Sequence, residues 1–133
     1  VLDFFHKLRA TPDELVVLGD GSQSKPYLYV EDCVDAMLHA LDHVMTTGAK
    51  LDVFNIAPPD ATTVRFLAEA CVAASPSPAA RIRYTGGDRG WPGDVPRSRM
   101  SSEKLAKTGF ALRHTSDEAA RRSILALARE VFG

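Results

Sequence analysis

The spacing of apolar residues predicts several helices, and the clearest of them covers about 31–45. Its apolar side chains recur every three or four positions and form one stripe: Val34, Met37, Leu38, Leu41 and Met45. Acidic residues fill its first turn, where the helix dipole favours anions, and Gly48 is suited to end it. Similar patterns predict helices over 2–10, from Thr62 or Thr63 to about Ala74, and after the capping-box sequence TSDE at 115–118.

Short apolar or alternating runs between these helices predict strands. These runs cover 15–18, 27–30, 52–57 and 81–85, and a further short helix is expected from Ser101 or Ser102 to Gly109. Segments rich in Gly and Pro separate the elements. Strands that alternate with helices favour an α/β or α+β architecture.

The chain opens inside a helical pattern. Leu2, Phe5 and Leu8 follow helical spacing, yet neither a methionine nor a capping residue precedes them. We therefore expect residues 2–10 to be the interior or end of a longer helix, in a fragment or in a chain whose numbering was reset. The alternative is a helix that starts at the terminus by chance.

The overall composition is that of a globular domain of 133 residues, with 45% hydrophobic and 25% charged residues. A formal net charge of −1 gives no basis for nucleic-acid or membrane-surface binding. No apolar run approaches the roughly 20 residues that span a bilayer. Cys33 and Cys71 fit free thiols in a reducing compartment, so we expect a cytoplasmic protein without nucleic-acid or membrane partners.

The sequence LGDGSQSKPYLYVED, from Leu18 onward, looks at first like a dinucleotide-binding glycine loop. Such a loop needs a third glycine and must open directly into a helix, which presents its N-terminus to the pyrophosphate. Here Ser24 takes the place of the third glycine, and Lys25 precedes Pro26, which favours extended backbone. We therefore predict a polar turn between two strands, in which Lys25 is either a phosphate contact or a solvated lysine.

The histidines and cysteines give no sign of a metal or nucleophile site. His39 and His43 have the i, i+4 spacing of metal ligands, but they are predicted to lie opposite the apolar stripe and to face water. No G-x-S-x-G motif is present, and neither cysteine has an activating neighbour. We expect no catalytic, metal-binding or cofactor-binding residue in this chain.

Residues 81–99 concentrate five arginines against two aspartates. Three of the arginines lie in a loop rich in Gly and Pro, which also carries Trp91, the single tryptophan of the chain. Guanidinium groups suit phosphate oxygens, and an indole offers an aromatic face. The loop therefore favours an anionic small molecule such as a nucleotide diphosphate, the alternative being a surface loop with scattered charges.

Three stretches taken together resemble one protein family. VVLGDGSQSKPYLYVEDCVDAML, VFNIAPPDATTVRFLAEA and GWPGDVPRSRMSSEKLAKTGF follow one another as they do in NAD-dependent epimerase/dehydratases of the extended short-chain dehydrogenase/reductase family. The UDP-glucose 4-epimerases are its best-known members. The resemblance implies the α/β fold of a C-terminal substrate-binding portion, spanning 1–133, with the N-terminal Rossmann part absent. No Tyr-x-x-x-Lys pair and no complete glycine fingerprint occur here.

The resemblance also implies roles for residues of the two loops. Lys25, within the motif that includes Gln23, stands where the family has a basic residue contacting the nucleotide diphosphate. Val16 and Leu18 stand in the segment that holds the base, largely through backbone groups. Asp94 matches an acid that accepts hydrogen bonds from ribose hydroxyls.

One position departs from the family pattern. Trp91 replaces an arginine that contacts phosphate in many members, and Arg89 is the candidate substitute from two residues upstream. The expected substrate-binding set has seven residues: Val16, Leu18, Gln23, Lys25, Arg89, Trp91 and Asp94.

The implied function is nucleotide-sugar binding for an NAD-dependent epimerase or dehydratase such as UDP-glucose 4-epimerase. NAD belongs to the complete enzyme and is not expected on this chain alone. The alternative is a stand-alone binding or interaction module without catalysis. Helix 31–45 and strand 52–57 would pack on the Rossmann domain, so their exposed faces predict a homo-oligomer or another association.

Overall fold

The computed structural model describes residues 1–133 and contains five helices and four short strands. The helices are α1 (Leu2–Ala10), α2 (Val30–Thr47), α3 (Val64–Ala74), α4 (Glu103–Ala106) and α5 (Ser116–Phe132). The strands are β1 (Glu14–Val17), β2 (Ser24–Lys25), β3 (Thr62–Thr63) and β4 (Arg81–Tyr84). The fold is α/β, as predicted. None of the five helices has both the length and the apolar character that crossing a membrane requires.

The core forms where α1, α3 and α5 pack around β1. Leu15 and Val17 of β1 are fully buried among side chains of the three helices, including Ile124 of α5. Phe5 of α1 is also fully buried, and its ring meets that of Phe132 edge to face at 5.4 Å between centroids. The helices therefore hold β1 in place, and β1 leads directly into the glycine turn.

Two small sheets bring distant parts of the sequence together. β1 and β4 pair in parallel, with Val17 opposite Tyr84 at their carboxyl ends. Because parallel strands end on the same side, the loops that follow β1 and β4 emerge next to each other. The Gly86 N–H donates to the Gly19 carbonyl at 2.9 Å and extends this contact. β2 pairs antiparallel with β3, with Ser24 opposite Thr63.

Helix α2 packs through the face opposite to its apolar stripe. His39 Nε2 lies 2.8 Å from Thr108 Oγ1, and the His39 ring contacts Phe110 at 5.2 Å between centroids. The His43 ring contacts Phe54 at 5.9 Å. The prediction that both histidines face water is therefore wrong: both are half-buried, because periodicity locates an apolar face without locating its partner. The side chains left exposed are Val34, Met37, Leu38, Leu41 and Met45.

A buried carboxylate fastens the first turn of α2 to the segment that enters α5. Asp32 accepts hydrogen bonds from the backbone N–H of His114 at 3.1 Å, from its ring Nδ1 at 3.0 Å and from Arg113 Nε at 3.2 Å. Burial alone would raise the pKa of Asp32, but the hydrogen bonds from His114 and Arg113 outweigh it and lower the pKa. The ionised carboxylate is therefore the form that this anchor stabilises.

Two of the predicted strands do not form. The strand at 27–30 is wrong because Tyr29 caps α2 and Val30 begins it, while the Tyr27 N–H donates to Ser116 Oγ at 2.8 Å. The strand at 52–57 is wrong because no strand of this chain lies beside it to form a ladder. Its Ala57 N–H instead donates to Ser102 Oγ at 2.8 Å.

Candidate functional site

The glycine motif forms a tight turn at the carboxyl end of β1. Gly19 and Gly21 have φ angles of +82° and +81°, a region that favours glycine. The Gly19 N–H donates to Thr85 Oγ1 at 2.9 Å, and the Ser22 N–H donates to Asp20 Oδ1 at 2.7 Å. The turn leads into β2 and not into a helix, so the predicted order of strand, turn and strand is confirmed, although the second strand lies at Ser24–Lys25 and not at 27–30. It does not fit a dinucleotide, since no helix N-terminus follows the glycines.

Gly19 also permits a close approach of side chain and backbone. A Cβ atom on Gly19 would lie 1.9 Å from Gln23 Nε2 and 3.1 Å from the Arg89 carbonyl oxygen. Gln23 is only 2% exposed, its Nε2 donates to the Leu18 carbonyl at 3.4 Å, and its Oε1 has no partner within the chain. The turn therefore brings Leu18 and Gln23 close to the backbone of the loop that follows β4, residues 85–102 (the second loop).

An ion pair joins the two loops in front of this turn. Lys25 Nζ lies 2.8 Å from Asp94 Oδ1, across 69 positions of sequence. Asp94 Oδ2 accepts the Gly90 N–H at 3.2 Å. The hydrogen bond from Lys25, followed by that from Gly90, lowers the pKa of the Asp94 carboxyl below its usual value. Asp94 is therefore ionised near neutral pH and bound by two donors of its own chain.

The backbone next to this ion pair is held as well. The Ser24 N–H donates to the Pro96 carbonyl at 2.8 Å, and the Ser98 N–H donates to the Ser24 carbonyl at 3.4 Å. Both bonds tie the second loop to β2 beside Lys25. The loop is thus fixed through its backbone on one side of Asp94 and through Gly90 on the other.

The structure separates the seven predicted residues into two groups. Four of them, Leu18, Gln23, Lys25 and Asp94, are connected through the turn and the second loop by the contacts described above. Val16 lies within β1, and its carbonyl accepts a hydrogen bond from Lys7 Nζ at 3.3 Å. The side chains of Arg89 and Trp91 are exposed on the second loop. Trp91 is 63% accessible, and its indole lies against Gly93.

Sequence analysis missed two residues of this region. Tyr27 lies near the ion pair: burial raises its pKa, the charge of Lys25 acts against the rise and that of Asp94 adds to it. Side chains two positions apart in extended backbone share a face, so its spacing from Lys25 was an available signal. Arg65 stacks over the Tyr84 ring at 4.6 Å and donates from Nη2 to the Asp20 carbonyl at 3.1 Å. Nothing in the sequence pattern indicates this second cation beside the turn.

A cleft of about 530 Å³ lies elsewhere, between α4 and the segment that enters α5. Its walls include Ile56, Met100, Leu105 and Phe110, and none of the seven predicted residues lines it. The structure gathers no group of three histidine, cysteine or carboxylate side chains that could hold a metal ion. This cleft also has charged and polar lining residues, among them Arg113, His114 and Glu118, whereas the residues that the sequence predicts for the site lie around the glycine turn and the loop after β4.

Comparisons with known proteins place this geometry in context. Residues 2–57 match the sequence profile of the NAD dependent epimerase/dehydratase family. GDP-L-fucose synthase 1 of Arabidopsis thaliana is 32% identical over 111 residues, which cover 80% of this chain and 31% of that protein.

Solved structures share the fold over almost the whole chain. A crystal structure of UDP-galactose 4-epimerase is 30% identical and superposes with a TM-score of 0.80, covering 98% of this chain and 40% of that one. UDP-glucose 4-epimerase from Thermotoga maritima, solved with UDP-glucose, is 22% identical with a TM-score of 0.69 over the same shares. The chain spans less than half the length of each of these proteins. It is related to the NAD-dependent epimerase/dehydratase family, within the extended short-chain dehydrogenases/reductases.

Proposed function

We propose that this chain is the nucleotide-sugar-binding portion of an NAD-dependent sugar epimerase or dehydratase, similar to UDP-glucose 4-epimerase. One observation carries the proposal: Lys25, Asp94 and the glycine turn meet at the carboxyl end of β1, although the residues come from loops far apart in sequence. Ligands of α/β folds bind at the carboxyl ends of strands. A cation placed at that edge is suited to a diphosphate.

Each residue of the site has a proposed contact. Lys25 and Arg89 bind the diphosphate, and Trp91 offers its exposed indole as an apolar face next to it. The backbone at Val16 and Leu18 holds the base, and the unpartnered Oε1 of Gln23 accepts a hydrogen bond from it. A buried acceptor without a partner is costly, so a ligand N–H at this position contributes to affinity.

In the complete enzyme, a bound NAD would supply the hydride chemistry at a sugar carbon. This chain contains neither the catalytic Tyr-x-x-x-Lys pair nor a fitting dinucleotide loop, so its own contribution is to bind the nucleotide and orient the sugar. Holding the reacting groups in the correct geometry is itself a large part of enzymatic rate enhancement.

The binding proposal is tested by calorimetric titration of the chain with UDP-sugars and GDP-sugars. Replacing Lys25 and Arg89 together by alanine is expected to weaken binding by at least about 10- to 100-fold, since a single hydrogen bond to a charged group contributes about 1.5–3 kcal/mol. A matched control removes two exposed cations elsewhere, Arg9 and Lys50, and is expected to leave affinity unchanged. Equal losses in the two variants would contradict the assignment of the diphosphate contacts.

We also propose that the exposed stripe of α2 and residues 52–57 dock on a dinucleotide-binding domain. Val34, Met37 and Leu41 form a contiguous apolar row on one side of the helix, and Val53 adds to the exposed apolar surface. Apolar patches of this kind mark contact surfaces in folded proteins. The chain on its own is therefore expected to associate through this face.

Charge placed on the stripe is expected to abolish that association. In sedimentation velocity, the unmodified chain is predicted to form species larger than its 14.4 kDa monomer as concentration rises. The variant with Met37→Glu and Leu41→Glu is predicted to remain monomeric, because burying two carboxylates in an apolar contact is costly. Leu125→Glu, an exposed site on α5, serves as control. Monomeric behaviour of the unmodified chain would contradict the prediction.

A further inference from the structure

We propose that two copies of this chain pair through residues 52–57, which form an antiparallel two-stranded ladder about a twofold axis at Asn55. The inference rests on the docking part of the proposed function, because it states how the chain on its own associates through that surface. The extended form of the segment, its one open edge and the fit of that edge to a copy of itself support the pairing.

Residues 52–57 are held in a strand-like form although no strand of the chain lies beside them. Burial alternates along the segment, with Val53 and Asn55 exposed and Phe54 and Ile56 half-buried. A period of two is that of extended backbone, in which neighbouring side chains point to opposite faces. The segment is therefore shaped for a ladder that this chain does not itself provide.

Side chains from the start of α4 cover one edge of the segment. Ser102 Oγ accepts from the Ala57 N–H at 2.8 Å and donates to the Ala57 carbonyl at 2.8 Å. Lys104 Nζ donates to the Val53 carbonyl at 3.0 Å and pairs with the Asp52 carboxylate. In extended backbone the N–H and C=O of one residue point to the same edge, and those of the next residue point to the opposite edge. The edge to which the odd-numbered positions point is therefore closed.

The opposite edge is open. The backbone N–H and C=O groups of Phe54 and Ile56 have no hydrogen-bond partner within the chain. An unpaired strand edge is a template for pairing with another chain, which proteins commonly prevent with charged side chains. The one charged side chain of the segment is Asp52, and its charge is paired with Lys104. No unpaired charge on 52–57 therefore opposes a second strand.

The open edge fits a copy of itself. When two copies run antiparallel with Asn55 opposite Asn55, Phe54 lies opposite Ile56, and both of these pairs exchange backbone hydrogen bonds. An aromatic side chain opposite a β-branched one is a favourable cross-strand pair. Val53 lies opposite Ala57, so no two like charges face each other within the ladder. A twofold arrangement of this kind uses the same patch of both chains, as in the commonest homodimers.

The apolar stripe of α2 lies on the same side as the open edge. α4 covers the closed edge of 52–57, and the packed face of α2 contacts Thr108, shortly after α4. The stripe is on the opposite face of α2, so the stripe and the open edge both point away from α4. Two strands alone are only marginally stable in water, so the ladder depends on contact between the two stripes. The pairing therefore agrees with the expected loss of association when the stripe carries charge.

Disulfide cross-linking tests the register. Asn55→Cys is placed in a Cys33→Ser background, where the other thiol, Cys71, is buried. Opposed Asn55 positions would lie about 4.5 Å apart between Cα atoms, within the range of a disulfide. The matched control is Val53→Cys, also at an exposed position, whose two copies would lie about 14 Å apart. We expect Asn55→Cys to form at least about tenfold more covalent dimer than Val53→Cys under mild oxidation.

Amide hydrogen exchange, measured residue by residue, tests the ladder itself. The N–H groups of Phe54 and Ile56 are expected to become at least about tenfold better protected as rising concentration converts monomer to dimer. The Ala57 N–H is bonded to Ser102 within the chain, so it is the internal control and is expected to keep the same protection.

Equal cross-linking at the two positions, or unchanged exchange at Phe54 and Ile56 in a chain that dimerises, would overturn the inference and leave association through the stripe intact. A chain that stays monomeric at every concentration would overturn both the inference and the predicted self-association. Nucleotide binding is measured separately by titration, so the nucleotide-sugar proposal stands or falls on its own result.

Discussion

Replacing Phe5 by alanine is expected to lower the free energy of unfolding by about 3–5 kcal/mol, the range for removing a buried aromatic side chain. Phe5 is fully buried in α1, where it packs among the residues that surround β1. The substitution also removes its edge-to-face contact with Phe132 at the end of α5. Two helices that hold β1 would therefore lose a shared contact, and the turn after β1 would lose support.

The measurement is urea denaturation followed by circular dichroism, with Leu2→Ala as the matched control. Leu2 lies on the same helix but is 46% exposed, so its truncation is expected to cost less than about 1 kcal/mol. Similar losses at the two positions would show that α1 does not pack in the arrangement described. The slope of the transition should stay the same in both variants if folding remains two-state.

Local sequence signals predicted the helices well, because each signal acts within a few residues. The TSDE sequence forms a full capping box: Thr115 Oγ1 accepts from the Glu118 N–H, and the Glu118 carboxylate accepts from the Thr115 N–H. Gly48 ends α2 with φ of +69°, as a left-handed capping residue does. Such contacts need no knowledge of the rest of the fold.

Features that depend on distant partners could not be predicted in this way. Hydrophobic periodicity identified the apolar stripe of α2, yet the packed face of the helix carries His39 and His43. The short run of apolar residues in 52–57 favours a strand, but a strand forms only beside another strand. In both cases the local pattern predicts that the segment has an apolar surface, but it gives no information about which residues pack against that surface.

The candidate site combines both kinds of information. Seven of its residues were predicted from the sequence, but the Lys25–Asp94 ion pair joins positions 69 apart and depends on the tertiary fold. Knowledge of that pair changes the interpretation, because two residues predicted to contact different parts of a ligand contact each other. Arg65 was not predicted from the sequence, and it reaches the region through its packing on Tyr84 and its hydrogen bond to the Asp20 carbonyl.

Replacing Gly19 by alanine is expected to disrupt the turn on which the whole site depends. The backbone strain of a left-handed alanine costs about 1–2 kcal/mol, and forcing a methyl group into an occupied space costs about 1–3 kcal/mol more. The new Cβ would stand 1.9 Å from Gln23 Nε2, so the buried amide must leave the Leu18 carbonyl. We therefore expect a loss of about 2–5 kcal/mol in stability, together with weaker nucleotide binding.

Gly87→Ala isolates the backbone contribution from the steric one. Gly87 has φ of +82°, equal to that of Gly19, but a Cβ there would have no atom within 4 Å. Its cost is expected to be the backbone strain alone, about 1–2 kcal/mol, without a change in nucleotide affinity. Denaturation and titration of both variants give the comparison. Equal destabilisation would mean that the close approach of Gln23 to the turn contributes nothing, and that the glycines of this motif serve only their backbone angles.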